Sequence, residues 1–437
     1  MRKMAQGKQP TAWVITASMG YGHWRAAYPF LPHAEGGRII AADNYDGIPA
    51  TDRLVWRQSE RFYNFVSRLA AQGPLGRLAF SFFDRFQRVS DFNLHRKDFR
   101  PTFQLRGIYR AIRRGWGRDL IDRIGKNPIP IITPFFPIAY MAEEWKYPGP
   151  IILVVTDADV SRAWAPYEPS RTRIRYCVPT ERAVSRLESY GVPTERIFLT
   201  GFPLQPSFEG GRNLKENLID RIRRLDPLSS YRKRDRDRLQ RIFGVIPQGR
   251  DSSSEILFSL GGAGAQISIG AAVIERLADR VRDGSLRLYF GIGGSSVALQ
   301  SFEDAARRSS LYGFIGERII LVSGETPSLY IEKFNEALSR VDVLWTKPSE
   351  LSFYAAYGLP IIIAPPIGSH ELRNREWLLR MGAGIDQGDL ANISEWLEDV
   401  FQTGKLAEAA VCGFEHDNRN GLDNILKVAF KNFNPNP

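Results

Sequence analysis

Short continuous apolar runs punctuate the first half of the chain, spaced to leave room for helices. AWVITAS (12–18) is followed by GRIIAAD (37–43), IPIIT (129–133) and PIILVVTD (150–157), then by RYCVPT and RIFLTG. Runs that are continuous rather than alternating belong to parallel strands buried on both faces. The helical periods between them complete a βαβ alternation. A second series opens at EILFSLGGAGAQ (255–266) and continues through LRLYFGIGGSS, RIILVSG, VDVLWTKPSE and LPIIIAPPIG. Between the two series, 214–247 is dense in charge, as in RIRRLDPLSSYRKRDRDRLQRIF, and is predicted to be helix, turn and linker. The expected fold class is α/β: two tandem Rossmann-like, doubly wound domains with an interdomain cleft. They span 1–212 and 251–388, with a charged helical linker over 213–250 and a helical tail over 389–437.

Composition fits this plan. A chain of 437 residues is too long for one ordinary core. Its 43% apolar and 24% charged residues are those of a folded globular protein. The two cysteines, Cys177 and Cys412, have no metal-ligand spacing and argue against a disulfide framework. The N-terminus MRKMAQGKQP has no apolar core of signal-peptide length. The most apolar stretch, PIPIITPFFPIAYM (128–141), is short and carries four prolines, so it is not expected to span a bilayer. A cytoplasmic location is expected.

Charge adds one feature. Between Arg53 and Lys126 stand 17 Lys/Arg against 6 Asp/Glu, so the whole net charge of +11 lies in that segment. The segment is also aromatic. Phe62, Phe65, Val66 and Leu69 recur at helical spacing with Arg57, Arg61 and Arg68 among them. An arginine-rich amphipathic helix with large aromatics suits an anionic membrane surface. The alternatives are a core-facing helix with a solvated basic back and, less favoured, a nucleic-acid face.

Open parallel sheets bind ligands beyond the carboxyl ends of their strands, and the candidate residues stand there. TASMGYGHWRAA (16–27) places Gly20 and Gly22 in a sharp turn after the first strand and His23 at a helix start. A plain β–α turn is the alternative. VVTDADVSRAW ends a later strand with Asp157 and Asp159, which suit acid–base work, Mg²⁺ or a cap. SLGGAGAQ presents Gly261, Gly262 and Gly264, whose N–H groups can cradle a diphosphate or simply form a tight turn. It matches neither the P-loop nor the dinucleotide fingerprint. Ser349 and Glu350 read first as a helix cap, with Glu350 on sugar hydroxyls as the functional alternative. PPIGSHELRN brings His370, Glu371 and Asn374, donors and acceptors suited to a hexose, or a polar loop. No third ligand has metal-site spacing, so no metal is expected.

Taken in order, these motifs resemble one family. ASMGYGHWRAA, PIPIITPFFPIAYMAEE, VVTDADVSRAW, YCVPTERAVSRLESYGVPTERIFLTGFPLQPSF, FSLGGAGAQ and TKPSELSFYAAYGLPIIIAPPIGSHELRN look like segments of GT-B-fold glycosyltransferases. The nearest groups are the monogalactosyldiacylglycerol synthases and bacterial diacylglycerol glucosyltransferases. More distant is the peptidoglycan N-acetylglucosaminyltransferase. The resemblance implies a GT-B architecture with a lipid or lipid-linked acceptor on the N-terminal domain and a nucleotide-sugar, most often UDP-linked, on the C-terminal domain. It implies inversion in one displacement with no obligatory cofactor, the nucleotide-sugar being a co-substrate. His23 and Asp157 match the base positions, and Gly20 and Gly22 the acceptor loop. Gly261, Gly262 and Gly264 match the diphosphate loop. His370, Glu371 and Asn374 match the donor-sugar segment. Arg57, Arg61, Phe62, Phe65 and Arg68 fall in the region by which relatives meet membranes, implying a peripheral place on the inner face.

The chain also departs from the pattern. Ser161 stands where the family has a His before the Trp. Lys347-Pro348 is followed directly by Ser349-Glu350, and the residue five before Gly358 is Phe353 rather than a ribose-binding Glu. These departures motivate one further function, a sugar-nucleotide-binding protein without catalysis; a GT-B enzyme with a small acceptor or epimerase activity is a separate alternative.

Overall fold

The computed structural model describes residues 10–70, 100–205, 214–249, 253–261, 266–416 and 419–431, with backbone alone for 60 and 62–70. Gly262 and Gly264, and the side chains of Phe62, Phe65 and Arg68, lie outside the described residues. The chain forms two α/β units. Each is built on a six-stranded sheet whose pairings are all parallel. This is the tandem, doubly wound α/β class that the continuous apolar runs predict.

The first unit runs β1 (Trp13–Thr16), α1 (Tyr21–Ala27), β2 (Ile40–Ala41), α2 (Ala50–Ala70), α3 (Phe103–Arg113), α4 (Arg118–Ile124), β3 (Ile131–Thr133), α5 (Phe136–Glu144), β4 (Ile151–Val154), β5 (Arg175–Val178), α6 (Glu181–Ser189) and β6 (Ile197–Leu199). Its strand order is β2-β1-β3-β4-β5-β6. Successive strand side chains point to opposite faces. Ile15, Ile131 and Leu153 therefore join one core with Leu105, Ile112, Leu120, Ile138 and Leu187 of α3 to α6. Val14, Ile132 and Ile152 join another with Phe30, Ile425 and Ala429.

The last two of those residues come from the C-terminal helix Gly421–Phe430, which belongs to the first unit. Asn424 Nδ2 donates to the Thr200 carbonyl at 3.0 Å, and Arg175 Nη1 donates to the Val428 carbonyl at 2.9 Å. The tail is thus divided. The helices Ile393–Gln402 and Lys405–Glu415 bury Leu397, Phe401, Leu406 and Val411 in the core of the second unit.

The stretch expected to link the domains is likewise part of the second unit. It forms the helices Leu214–Leu225, Ser230–Arg234 and Arg236–Phe243. Leu218, Ile222, Leu225, Tyr231 and Leu239 are fully buried in the core. The apolar stripe at 218, 222 and 225 has helical spacing, but the charges on the other faces mask it in a composition count. The second sheet comprises β7 (Ser254–Ser259), β8 (Leu286–Gly293), β9 (Ile319–Ser323), β10 (Val343–Thr346), β11 (Ile361–Ile363) and β12 (Gly384–Asp386). Its order is β12-β11-β10-β7-β8-β9.

Each order contains one reversal. In the first sheet the chain leaves β1 for β2 on one side and returns to β3 on the other. In the second it leaves β7 for β8 and β9, then returns to β10 on the opposite side of β7. At such a switch point the two connections diverge and leave a crevice above the strand ends. Among the described residues no helix is long and apolar enough to cross a membrane.

Candidate functional site

The candidate residues gather at both reversals. Beyond β1, Gly20 has φ 91° and ψ 175°, a conformation essentially closed to other residues. It turns the chain so that α1 starts at once and carries His23 in its first turn. Beyond β3, Thr133 Oγ1 accepts the Phe135 N–H at 3.2 Å and fixes the entry to α5. The His23 and Phe135 rings meet edge to face, with centroids 4.7 Å apart and planes at 73°. His23 is half-buried, so burial and this contact hold the imidazole without enclosing it. Gly22 is the second residue of α1.

Asp157 and Asp159 follow β4, the neighbour of β3, and have different fates. Asp159 is fully buried. It takes hydrogen bonds from Arg186 Nε at 2.8 Å and Arg182 Nε at 2.5 Å, and from the Val160 N–H at 2.9 Å. Its charge is committed to holding α6 against the strand end. Asp157 is half-buried beyond the carboxyl end of β4. Ser161, also half-buried, precedes the short helix Arg162–Trp164.

A cavity of about 370 Å³ lies in the same unit, beyond the ends of β1 and β2. Ser18 and Met19 come from the loop leading to Gly20, and Asp43 and Asn44 from the loop after β2. Arg53, Trp56 and Arg57 come from α2. Asp43 Oδ1 accepts the Ser18 N–H at 3.0 Å and ties the two loops together. Asp52, buried on the inner side of α2, accepts the Gly117 N–H at 3.0 Å and anchors the helix. Trp56 is 4% exposed. Its ring lies 4.8 Å from that of Trp116 and 6.0 Å from that of Phe135. Phe135 thus touches both His23 and the wall of the cavity. Neither Phe135 nor Trp56 carries a sequence signal of its own, because apolar aromatics are ordinary core residues.

At the second reversal, Gly261 follows β7 and Lys347 follows β10. A Cβ on Gly261 would stand 2.7 Å from Lys347 Cε, so a side chain there would push aside the flexible end of the lysine that now lies against the glycine backbone. Lys347 Nζ pairs with Glu371 Oε1, and Glu371 Oε2 accepts the Ile367 N–H at 2.7 Å. Glu371 is 2% exposed. Burial alone would raise its pKa, but the positive Lys347, then His370, and the hydrogen bonds from Lys347 and Ile367 hold it below the ordinary value. Asn374 is fully buried and Nδ2 donates to the Pro348 carbonyl at 3.3 Å. His370 is half-exposed, with Nε2 3.9 Å from Glu371 Oε1.

The trio His370, Glu371 and Asn374 therefore splits. Glu371 and Asn374 lie with Leu378 on the inward face of the helix Ser369–Arg380 and brace the Lys347 loop, while His370 faces outward. The spacing 371, 374, 378 is helical and was available as a signal. Ser349 Oγ accepts the Leu351 N–H at 3.4 Å and caps the 3₁₀ helix Glu350–Tyr357, with Glu350 half-buried in its first turn. Phe353 is buried with its ring 5.0 Å from that of Trp377.

Of the basic segment, Arg57 and Arg61 are exposed on α2. α3 buries Leu105, Tyr109 and Ile112 and turns Arg110 and Arg113 outward, so it is a core-facing helix with a basic back. Arg113 pairs with Glu144, Arg118 with Asp122 and Arg123 with Asp119.

The chain is similar in sequence to processive diacylglycerol β-glucosyltransferases, in line with the ordered motifs. One from Bacillus cereus (strain 03BB102) is 24% identical over 306 residues, covering 67% of this chain and 66% of the relative. Another from Bacillus cereus (strain B4264) is 25% identical over 288 residues, covering 64% of this chain and 62% of the relative. The matches span just under two thirds of the length of these relatives. No family model matches the chain. Solved structures with a related trace include UDP-GlcNAc 2-epimerase from Neisseria meningitidis bound to UDP-GlcNAc. It is 13% identical, covers 97% of this chain and 100% of that one, and has a TM-score of 0.47. MurG of Acinetobacter baumannii is 16% identical, covers 75% of this chain and 78% of that one, and has a TM-score of 0.40.

Proposed function

We propose that the protein is an inverting glycosyltransferase that moves a sugar from a UDP-linked donor to a hydroxyl on a lipid or lipid-linked acceptor. The observation that carries this proposal is the content of the two switch points: an imidazole held against Phe135 in one sheet, and a lysine threaded past a glycine backbone in the other. A base and a set of donors for the departing charge are two parts that displacement at a sugar carbon uses. Similarity to curated diacylglycerol glucosyltransferases supports the same assignment.

In this mechanism His23 accepts the proton of the acceptor hydroxyl as its oxygen bonds to the anomeric carbon. The bond from that carbon to the diphosphate oxygen breaks, and the electron pair leaves with the nucleoside diphosphate. Asp157 is the second candidate for the base, or an orienting partner. Lys347 and the backbone N–H groups at Gly261 meet the departing charge, and Gly262 and Gly264 extend that loop in sequence. Glu371 and Asn374 act through Lys347 and its loop, which they hold in place. His370, Ser349 and Glu350 remain for the donor sugar and nucleoside. Arg57 and Arg61, with Phe62, Phe65 and Arg68 in the same helix, provide attraction to an anionic membrane surface.

Thermal unfolding against a panel of nucleotides and nucleotide-sugars, with and without Mg²⁺, tests the donor site. A selective rise with UDP or one UDP-sugar is expected, and that donor then enters transfer assays with lipid vesicles. Donor binding without transfer or hydrolysis for any acceptor would replace the transferase with a sugar-nucleotide-binding protein. Turnover without lipid would replace the lipid acceptor with a small one.

A further inference from the structure

The cavity beside the His23 loop points to the chemistry of the acceptor. Arg53 and Arg57 are four residues apart on α2, so their side chains emerge one above the other into the same space. Both are exposed, and neither side chain makes an ion pair or hydrogen bond with a described residue. Several nearby arginines are matched to carboxylates, Arg113 to Glu144, Arg118 to Asp122 and Arg123 to Asp119. Two like charges in succession repel each other, and an anion between them removes the repulsion. Guanidinium groups match phosphate oxygens in shape as well as charge.

The opposite wall has another character. Ser18, Asp43 and Asn44 supply hydroxyl, carboxylate and amide groups, which recognise hydroxyls. A carboxylate in the wall disfavours a ligand that is phosphate throughout. The volume of about 370 Å³ falls within the range of small-molecule sites. Trp56 closes the inner side, and its ring contact with Phe135 places this wall one residue from the His23 ring.

We propose that the acceptor is a phosphorylated polyol, carried as the head group of an anionic phospholipid, with its phosphate on Arg53 and Arg57 and its hydroxyls toward Asp43, Asn44 and Ser18. This proposal rests on the transferase assignment above and narrows it. Diacylglycerol, the acceptor in the names of the curated relatives, has no charge for the two arginines to meet. In the transfer, one head-group hydroxyl oxygen bonds to the anomeric carbon and its proton passes to His23. The nucleoside diphosphate leaves, and the phosphodiester of the lipid is untouched.

The test pairs a transfer assay with a binding assay that needs no donor. Purified protein and the selected UDP-sugar are mixed with phosphatidylcholine vesicles carrying diacylglycerol, phosphatidylglycerol, phosphatidylinositol or phosphatidic acid, and products are read by mass spectrometry. Separately, glycerol 3-phosphate and inositol 1-phosphate are titrated calorimetrically into wild type and the double variant Arg53→Gln/Arg57→Gln. Sugar is expected on phosphatidylglycerol or phosphatidylinositol, with phosphatidic acid, which has charge but no head-group hydroxyl, unmodified. The double variant should lose about tenfold or more of this rate and of polyol-phosphate binding, with its nucleotide-induced thermal shift and melting temperature retained. Transfer to diacylglycerol at an equal or higher rate, or an unaffected double variant, overturns the proposal and leaves the transferase standing. No transfer to any lipid, with arginine-dependent binding of the polyol phosphate, keeps the site and removes the transferase. Soluble polyol phosphates accepting sugar as well as vesicles do overturns the lipid source and keeps the head-group chemistry. Neither transfer nor binding overturns both.

Discussion

The His23 ring stands edge-on to the ring of Phe135, 4.7 Å away, at the point where the first sheet reverses its strand order. The two residues are 112 positions apart in the chain and meet because β1 and β3 are neighbours. The contact leaves the imidazole half-buried, which suits a base that must meet a substrate hydroxyl.

His23→Ala should therefore lower turnover by about 10²-fold or more. Its melting temperature should stay close to that of the wild type, because the ring is only partly enclosed. Steady-state rates at saturating donor, read beside thermal unfolding, check this. An unchanged rate would move the role of base to Asp157.

The Lys347–Glu371 pair makes acid stability a readout of the second unit. The Glu371 carboxyl is held below its ordinary value of 4.5 in the fold, despite burial, by the charges and hydrogen bonds around it. Its contribution is then present above that value and is lost as pH falls through the lower, folded pKa. Glu371→Gln should flatten the acid limb of the stability–pH curve. It should also weaken the nucleotide-induced thermal shift, because Lys347 loses its brace. Melting curves from about pH 3 to 7 decide the first point, and a limb as steep as in the wild type would refute it.

Asp159 makes a structural prediction. Its side chain and that of Arg186 are both almost wholly enclosed. Asp159→Ala leaves the buried Arg186 charge without this counter-ion, which should cost about 3–5 kcal/mol. Denaturant unfolding of the first unit measures it. A loss below about 1 kcal/mol would mean that the pair is replaceable by other contacts.

Cys177 is fully buried beneath the C-terminal helix, and burial pushes its thiol far above the ordinary range. It should resist alkylation in the native protein and react only as that helix detaches. Removing residues 420–437 should expose it, because Leu422, Ile425 and Ala429 cover that face. Mass spectrometry after a timed iodoacetamide pulse reads the difference, and equal labelling of Cys177 in both forms would contradict the packing.

Much of this was legible in the chain. The continuous apolar runs marked the strands, although AWVITAS is strand only over Trp13–Thr16 and GRIIAAD only over Ile40–Ala41. Gly20, His23, Gly261 and Lys347 stood out or fell beside motifs because turn chemistry is local. The inward face of Glu371 and Asn374 is also local, written in their helical spacing, whereas the motif they share with His370 reflects only their hydrogen-bonding groups. The stripe in the supposed linker was hidden in the same way by its charges.

The number and class of the units, the strands and the glycine turns are written locally, since they depend on periodicity and φ/ψ preferences over a few residues. Which strand ends are neighbours is settled by the three-dimensional packing alone. That choice set Phe135 against His23, Lys347 beside Gly261, and the C-terminal helix on the first sheet. It also opened the cavity between α2 and the first two strand ends. Strand order depends on burying two sheet faces at once, a long-range condition that no local stretch of residues encodes.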